Sequence, residues 1–525
     1  MLSFENVGSL QSGIFRRSAR NIIYSAIAAI WPLVLGLAIT PLMIRRLGTD
    51  IYGIWTIVMS VTGMMGFFQF GLGDATVKYF SKYHAQGEIK QACLYVRATL
   101  FVYGITGLLA AIAIVLLTPS LTTSVFHIQL GLQQQARIAL WIGAISLGIT
   151  FINSSIAAVP RALQRYDITS SINLVIQTLW YVGIAGFLLA GYGLIALLAA
   201  TVVQNLARLL ALTWISRHLV PTLRIVPEWK PKVLRELLLG YGLWAMVLTV
   251  SGVLMANVVQ LFIGHYLGTS AVTYYTVPNK VALLVHSLPA AMMVFLFPMA
   301  SAMQSANQSK QLMKSYNVSV RFAGIASAVL MTPFLILARP ILTLWVGEDI
   351  ASHSTMVLQL QSVHYYLQAQ AIVPFFILNG IGKIKVNACF SLAHPLIALP
   401  IYIVMIGHFG ILGPPMTNTV YSLIAALVYL WVTDHFIGQN VKLSSLLKRL
   451  FIPLLPVLAI FGVDHYLLQW GQTTNSILGL LAAGAGYALV VLTMGLLLDK
   501  LVGDEPSLFS LGNRLVRGIR RRIRK

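Results

Sequence analysis

Long apolar runs constrain this chain more than any other feature of its sequence. A membrane-spanning helix needs about 20 mostly apolar residues, and runs of that length recur along all 525 residues. They do not alternate apolar and polar residues, as the strands of a membrane barrel do. The sequence therefore predicts an all-α integral membrane protein with about 14 transmembrane helices. The predicted spans lie near 22–44, 52–72, 94–118, 138–160, 170–190, 192–215, 237–262, 281–303, 320–344, 361–380, 388–407, 411–433, 449–468 and 477–499.

The composition agrees with a bilayer as the solvent. Hydrophobic residues make up 58% of the chain and charged residues only 10%, against about 25% charged residues in soluble domains. The 36 basic residues outnumber the 14 acidic ones and lie in short gaps between apolar runs. That placement favours anionic membrane lipids, rather than nucleic acid, as their partners.

No pattern for a metal, a cofactor or a catalytic nucleophile occurs in the sequence. Cys93 and Cys389 form neither a disulfide framework nor a CxxC metal pattern. The P-loop, HExxH and GxSxG motifs are missing as well. We therefore expect no cofactor, no metal and no enzymatic activity.

The distribution of Lys and Arg predicts the orientation of the chain. With the N-terminus inside, 30 of the 36 basic residues fall in inner segments and five in outer ones. By the positive-inside rule, both termini are then cytoplasmic and the number of spans is even. At 506–525, Leu or Ile recurs every four positions among arginines, which predicts an amphipathic basic helix on the anionic inner leaflet. A disordered topology anchor is the alternative for this tail.

A faint repeat divides the predicted spans into two sets. Leu47-Gly48-Thr49 recurs as Leu267-Gly268-Thr269, 220 positions later. The segment 157–160 resembles 371–374 at an offset of 214, and the glycine turns ending at Gly193 and Gly410 are 217 apart. Spans one to six and seven to twelve are thus predicted to be parallel copies, because six crossings return the chain to its starting side. Two lobes around a central cavity are typical of a transporter.

The predicted organisation follows from the spans and the repeat. Two parallel six-helix lobes are followed by two C-terminal helices. The segments are a cytoplasmic N-terminal segment at 1–21, an N-lobe at 22–215, a cytoplasmic linker at 216–236, a C-lobe at 237–433, spans thirteen and fourteen at 434–500, and a basic cytoplasmic tail at 501–525.

Three short motifs resemble a known family. They are PLMIRRLGTDIYGIW at 41–55, GLGDATVKY at 71–79 and ALQRY at 162–166. With the hydropathy and spacing of nearly the whole chain, they resemble the polysaccharide-type, Wzx-like flippases of the multidrug/oligosaccharidyl-lipid/polysaccharide exporter superfamily. The resemblance implies two six-helix lobes, often with two further helices, and no ATPase.

The resemblance also implies a substrate and a location. Such proteins move an undecaprenyl-pyrophosphate-linked oligosaccharide, such as an O-antigen, capsule or exopolysaccharide repeat unit, across the bacterial inner membrane. A lipid-linked oligosaccharide is therefore the expected partner. Polysaccharide polymerase and other assembly proteins are further candidate partners.

Basic residues near the span ends are the candidates for binding an anionic substrate. Arg45 and Arg46 lie on the predicted outer side, and snorkelling at the interface is their alternative role. In related lipid-II flippases an Arg early in the eighth span faces the cavity, and Lys280 occupies the matching position. Lysine keeps the charge but loses the bidentate fork. On the inner side, where topology anchoring is the alternative, the candidates are Arg97, Arg208 and Arg321.

Polar residues supply two further candidate sites. Asn257 and Gln260 share a face of span seven and suit sugar hydroxyls, although helix–helix hydrogen bonding explains them equally well. Asp74 and Lys78 are four residues apart and form a candidate inner gate. An ordinary helix-surface pair is the alternative.

The acidic residues bear on the class of substrate. All 14 are predicted in loops or near span ends, and none lies deep in the first lobe. A cation-coupled small-molecule exporter, the alternative function, would be expected to hold a deep carboxylate there. A membrane-embedded sugar polymerase or ligase would need a larger outer loop than 119–137 or 345–360. The sequence therefore favours transport of an anionic, lipid-linked substrate.

Overall fold

The computed structural model describes residues 4–239, 242–438, 442–464 and 476–502. Every regular element in these ranges is a helix, so the predicted all-α fold is confirmed. The predicted tail helix at 506–525 lies outside the described residues.

The helices follow one another with short connections. Up to Leu267 they are α1 (Phe4–Met64), α2 (Leu72–Ala85), α3 (Ile89–Ser120), α4 (Leu130–Ile156), α5 (Ala158–Ala162), α6 (Tyr166–Leu189), α7 (Leu194–Leu219), α8 (Pro231–Leu239) and α9 (Gly242–Leu267). From Thr269 they are α10 (Thr269–Ala282), α11 (Leu284–Met293), α12 (Leu296–Ser305), α13 (Ser309–Ile336), α14 (Ala338–Val346), α15 (Glu348–Ala369), α16 (Ile372–Gly380), α17 (Ile384–Phe409), α18 (Gly413–Phe436), α19 (Leu443–Phe451), α20 (Leu455–Val463) and α21 (Ile477–Val502).

The chain divides into two compact units. Unit 1 comprises Met1–Thr273 with Ser391–Ile397, and unit 2 comprises Tyr274–Phe390 with Ala398–Lys525. The two units are the parts of the chain that pack most closely within themselves, whereas each predicted lobe is a set of six consecutive spans. The lobe boundaries therefore stay a prediction.

Eleven helical stretches among the described residues are long and apolar enough to cross a membrane. The chain is thus a multi-pass membrane protein. Ile30–Gln69 has 40 residues and Ile384–Phe436 has 53, which is about 60 and 80 Å of helix against a hydrocarbon core of about 30 Å. Each holds a glycine turn, at Gly48 or Gly410, and has the length of two spans. The predicted total of fourteen is not confirmed by these eleven stretches.

Left-handed backbone turns recur at a nearly constant offset. Five residues with positive φ each have a counterpart 218 to 220 positions later. The pairs are Gly48 with Gly268, Gly87 with Asn307, His127 with Gly347, Gln164 with Gly382, and Gly191 with Gly410. Glycine adopts this conformation without steric cost, and each pair marks a corresponding helix break. The turns support the predicted repeat with more landmarks than the sequence motifs alone.

Proline accounts for several helix breaks. It cannot donate a backbone hydrogen bond and its ring clashes with the carbonyl four residues earlier. Pro160 follows the break between α4 and α5, and Pro374 follows the break between α15 and α16. Predicted span eight is divided into α10, α11 and α12, with Pro298 four residues after Val294 in the second gap. Pro32 and Pro41, by contrast, lie within α1, whose non-helical residue is Gly48.

Two segments expected to be connections are largely helical. A π-helical turn at Leu121–Val125 follows α3, and α4 begins at Leu130. Gly347, with φ of 104°, is the one residue between α14 and α15. Residues 348–355 are polar, so the sequence predicts a connection where α15 begins. Hydropathy indicates which residues are buried in lipid and does not indicate which are helical.

Candidate functional site

Arg97 holds the segment that leads from α7 to α9. Its Nη1 lies 2.8 Å from Glu228 Oε2, and its Nε donates to the Val226 carbonyl over 3.1 Å. The Glu228 N–H donates back to the Arg97 carbonyl over 3.2 Å. The charge of Arg97 is therefore paired, which fits a structural role at the linker.

An aromatic stack fixes the far end of the same linker. The Tyr95 ring lies 5.0 Å from Tyr79 and 5.2 Å from Tyr83 between centroids. The Tyr95 hydroxyl donates to the Glu236 carboxylate, and the Tyr79 hydroxyl donates to the Glu236 carbonyl over 3.2 Å. Burial, followed by the nearby Glu236 charge, raises the pKa of Tyr79. These contacts attach α8 to α2 and α3.

The predicted gate residues contact different groups. Asp74 Oδ1 lies 3.8 Å from Arg161 Nη1, and Lys78 Nζ lies 5.7 Å from the centre of the Tyr79 ring. The Asp74 side chain is 63% exposed, so solvent screens its charge. A gating role for Asp74 and Lys78 stays a prediction.

Arg208 is a partly buried cation within α7. Its Nε is buried and has no hydrogen-bond acceptor among the described residues. One turn earlier, Asn205 Nδ2 donates to Ser146 Oγ over 2.7 Å, and the Asn205 carbonyl accepts from Asn153 Nδ2 over 3.0 Å. A guanidinium inside a span is costly unless it is paired. Arg208 would thus gain stability from an anionic partner.

The turns at Gly48 and Gly268 are joined by hydrogen bonds within unit 1. Asp50 Oδ1 accepts from Thr269 Oγ1 over 2.8 Å and from Ser270 Oγ over 2.5 Å. A Cβ added at Gly53 would lie 2.0 Å from the Thr269 carbonyl oxygen, so only glycine allows this approach. Thr273 Oγ1 also donates to the Thr49 carbonyl over 2.7 Å. We call this contact the Gly48 seam; its residues are Thr49, Asp50, Gly53, Thr269, Ser270 and Thr273.

Arg45 and Arg46 lie beside the Gly48 seam. Both are exposed in the last turn before Gly48, whereas the preceding Met43 and Ile44 are buried. Neither forms an ion pair with an acidic residue in the part of the chain that the structure describes. A substrate-binding role for Arg45 and Arg46 stays a prediction.

The two polar residues of predicted span seven, Asn257 and Gln260, differ in their hydrogen bonds. Asn257 Nδ2 donates to the Val253 carbonyl over 2.8 Å, and its Oδ1 would lie 2.6 Å from a Cβ at Gly63. Asn257 therefore packs against α1, which favours a helix–helix role. Gln260 Oε1 is buried and accepts no hydrogen bond from the described residues.

In unit 2, the residues around Lys280 connect α10 with α15. Lys280 is partly buried in the last turn of α10. The neighbouring Asn279 Oδ1 accepts from the Tyr365 hydroxyl over 2.9 Å, and Gln361 Nε2 donates to the Tyr275 hydroxyl over 2.7 Å. Lys280 thus lies at the end of a buried polar layer.

A second set of buried polar groups joins α15 and α17 to α18. His364 Nδ1 lies 2.8 Å from Ser422 Oγ, and the Tyr402 hydroxyl donates to Asn418 Oδ1. The sequence interpretation did not single out these side chains. Only His364 had a signal, the run of Gln, His and Tyr at the start of predicted span ten; Tyr402, Asn418 and Ser422 lie in predicted spans eleven and twelve.

Two buried ion pairs fix the last helices of unit 2. Arg321 Nη1 lies 3.2 Å from Asp499 Oδ1, which joins α13 to α21. Arg449 Nη1 lies 3.0 Å from both oxygens of Asp434, which joins α19 to α18. Arg321 is therefore paired with a carboxylate and is not available as an isolated cation.

An exposed pair stabilises the turn before α15. Arg339 Nη2 lies 2.6 Å from Glu348 Oε1, and Thr343 Oγ1 donates to Glu348 Oε2 over 2.8 Å. These hydrogen bonds lower the pKa of Glu348, and the bond from Arg339 has the largest effect.

Within the described ranges, no group of three or more His, Cys, Asp or Glu residues is arranged to hold a metal ion.

Solved structures show which fold these helices share. The inward closed conformation of the lipid II flippase MurJ superposes with a TM-score of 0.67 at 13% identity, over 91% of this chain and 99% of that one. An inward-facing multidrug resistance MATE transporter of the MOP superfamily gives 0.61 at 16% identity, over 79% and 99%. At these identities the similarity establishes the fold alone.

Sequence comparisons identify the family. A putative O-antigen transporter of Shigella flexneri is 19% identical over 414 residues, 79% of this chain and 97% of that protein. The uncharacterized membrane protein EpsK of Bacillus subtilis is 23% identical over 410 residues, 74% and 77%. Residues 42–354 match the family described as polysaccharide biosynthesis protein, and the resemblance inferred from the sequence motifs is confirmed. Because that match spans more than half of the chain, the protein belongs to the polysaccharide biosynthesis protein family.

Proposed function

We propose that this protein is a flippase that moves a polyprenyl-pyrophosphate-linked oligosaccharide across the bacterial inner membrane. The substrate would be a repeat unit of an O-antigen, a capsule or an exopolysaccharide. The family match over residues 42–354 carries the proposal. The O-antigen transport named for the Shigella flexneri relative and the fold of a lipid II flippase support it.

Transport would proceed by alternating access. The Gly48 seam consists of hydroxyl, carboxylate and carbonyl hydrogen bonds around one close backbone approach. Each such bond contributes only about 1 kcal/mol net, because water can replace the partner. A seam of this kind can open and close without large cost. We assign it the role of a gate at the predicted outer end of unit 1.

The cations sort into two roles. Arg97 and Arg321 are paired with Glu228 and Asp499, so we assign them to structure. Arg208, with its buried unpartnered Nε, is assigned to the pyrophosphate. The outer-side candidates Arg45, Arg46 and Lys280 are assigned to the same anion at a later stage of transport.

The carboxylates support an anionic substrate over a cationic drug. In unit 1, no Asp or Glu is buried among residues 30–237 and 246–273. The buried carboxylates in the described part of unit 2 have partners: Asp434 and Asp499 face arginines, and Asp464 accepts from the Tyr487 hydroxyl. A cation-coupled exporter would be expected to offer an available buried carboxylate.

Complementation of a strain that lacks the gene tests the proposal. Arg46→Ala and Lys280→Glu together should abolish surface polysaccharide while the membrane level of the protein stays normal. Lys280→Arg should retain export because the charge is kept. Arg217→Ala, which removes an exposed cation at the end of α7, is the matched control.

Two results would overturn the assignment. Normal export by the Arg46→Ala, Lys280→Glu variant would exclude both residues from handling the phosphate. Restored drug resistance without restored polysaccharide would favour the exporter.

For the orientation of the chain, we propose that both termini are cytoplasmic. Reporter fusions at Gln439 and Gln472 should then read cytoplasmic and periplasmic, respectively. The reverse pattern at both sites would contradict this orientation.

A further inference from the structure

An apolar cavity lies in unit 1 among α1, α3 and α9. Its volume is about 360 Å³, and it is partly open to the surface. Aliphatic and aromatic side chains form most of its lining, including Val61, Met64, Leu117, Leu261 and Phe262. These residues belong to stretches that are apolar enough to cross a membrane. A hydrocarbon chain, and not a water-soluble solute, is therefore the ligand that the position favours.

The polar groups at the cavity lie at one end of it. His265 and Tyr266 line the cavity at the end of α9. His265 Nδ1 lies 2.6 Å from the Val125 carbonyl oxygen, to which it must donate. The ring of His127 lies 6.0 Å from that of His265 between centroids. From α4, Arg137 Nε donates over 3.4 Å to Thr122 Oγ1, within the turn whose Leu121 and Val125 line the cavity. An imidazole and a phenol thus line one end of an otherwise apolar cavity, and a cation bonds to the turn beside it, which complements a ligand with an apolar chain and an acidic head.

We propose that this cavity binds the polyprenyl chain of the lipid-linked substrate next to its phosphate end. The inference rests on the proposed flippase function. Met64 and Met65 contribute unbranched, adaptable side chains to the lining, and such side chains accommodate an irregular partner. An isoprenoid, with a methyl branch in every unit, is more irregular than a straight acyl chain.

The place of the cavity relative to the Gly48 seam supports this occupant. Val61 lies eight residues after Gly53 on α1, or about 12 Å along the helix axis. His265 lies three residues before Gly268 on α9, or about 4.5 Å. The cavity therefore shares α1 with the seam, and its other helix, α9, ends at Leu267, directly before the Gly268 turn that leads into the seam residues of α10. A chain bound there would lie next to the seam while its head group passes it.

Photolabelling with undecaprenyl phosphate that carries a diazirine on its chain tests the proposal. The full-length protein, purified into lipid nanodiscs, should be labelled on peptides covering residues 114–126 and 261–266. Leu117→Trp fills the cavity and should lower this labelling about tenfold. Leu116→Trp is the matched control, because Leu116 is the adjacent residue on α3, is 73% exposed and does not line the cavity. It should label like the native protein.

A phospholipid competitor decides between the two kinds of hydrocarbon chain. A tenfold excess of phosphatidylglycerol should leave the labelling largely intact. If phosphatidylglycerol abolishes it, or if a diazirine phospholipid labels the same peptides equally well, the cavity is a general acyl-chain site and the proposal is wrong. Equal labelling of the Leu117→Trp and Leu116→Trp variants would also overturn it.

The probe carries no sugar and needs no transport, so this experiment is independent of the flippase assay. Normal polysaccharide export without label in the cavity would leave the proposed function intact and exclude the cavity. Label in the cavity of a protein that exports drugs, and no polysaccharide, would retain a polyprenyl-binding cavity and exclude the flippase function.

Discussion

The two buried ion pairs among the described residues lie in unit 2, whereas the described ion pairs of unit 1 are all partly open to solvent. The side chains of Asp434 and Asp499 are only 1% and 3% exposed where they meet Arg449 and Arg321. In unit 1, Asp74 is 63% exposed. Breaking a buried pair leaves an uncompensated charge, whereas an exposed pair exchanges easily with water. The two buried pairs of unit 2 therefore fix helices in place, whereas the Asp74–Arg161 pair of unit 1 can exchange its contact for water or another partner.

The largest expected effect tests this contrast in stability. Asp499→Ala should lower the free energy of unfolding by about 3–5 kcal/mol, because the mostly buried Arg321 guanidinium would lose the Asp499 carboxylate. Asp74→Ala should cost less than about 1 kcal/mol. Denaturation of the purified variants, with membrane yield in parallel, measures both. A double variant, Arg321→Leu with Asp499→Ala, should recover most of the loss. Equal losses from the two single variants would remove the distinction between the units.

The next effect concerns the Gly48 seam. Gly53→Ala places a methyl group against the Thr269 carbonyl, so we expect overpacking to cost about 1–3 kcal/mol and export to fall at least tenfold. Gly104→Ala is the control, because a Cβ there meets nothing within 4 Å. Surface polysaccharide per molecule of membrane protein measures the outcome. Normal export by Gly53→Ala would show that the seam does not need this close approach.

A smaller effect is expected at Arg208, whose buried Nε has no acceptor among the described residues. Arg208→Gln should lower export about tenfold, equivalent to about 1.4 kcal/mol, with little loss of stability. Arg208→Lys should retain part of the activity. Arg217→Gln, at an exposed position on the same helix, should export normally. A strong loss of stability in Arg208→Gln would instead make the residue a structural one, like Arg321.

The smallest effect is expected at the linker. Arg97→Ala removes a partly exposed pair with Glu228, so the loss of stability should be below about 1 kcal/mol. Limited proteolysis should nevertheless cut the 220–230 segment faster, and export should remain near normal. A large loss of export with intact stability would return Arg97 to the substrate-binding candidates.

The spans and turns could be predicted from the sequence because their causes are local. The apolar runs and the repeated turn at Gly48 and Gly268 depend on residues within a few positions. The break near Pro374 was not predicted, because the segment 371–374 served only as a landmark of the repeat within predicted span ten. Hydropathy failed at the start of α15, where Glu348 and Asp349 begin a helix that the composition assigned to a loop.

The contacts of the candidate site could not be predicted, because they join residues far apart in sequence. Asp50 and Thr269 are 219 positions apart, and no pattern indicated that Arg321 would meet Asp499. Arg97 and Arg208 had the same sequence-level description, a cation near the inner end of a span. Only the structure separates them, since one meets a carboxylate and the other presents a buried nitrogen without an acceptor.

The turn at Gly48 also has a consequence for how the protein is made. One residue joins two helical segments within a stretch of 40 residues, so only a short turn, with Arg45, Arg46 and Asp50 around Gly48, separates the first two crossings. Such a turn is too short to serve as a hydrophilic tether that holds one segment while it waits for the other. We expect the insertion machinery of the cell to release these two crossings into the bilayer together, as one helical hairpin. A ribosome stalled just after Gly48 would hold a first crossing that is not yet committed to the membrane.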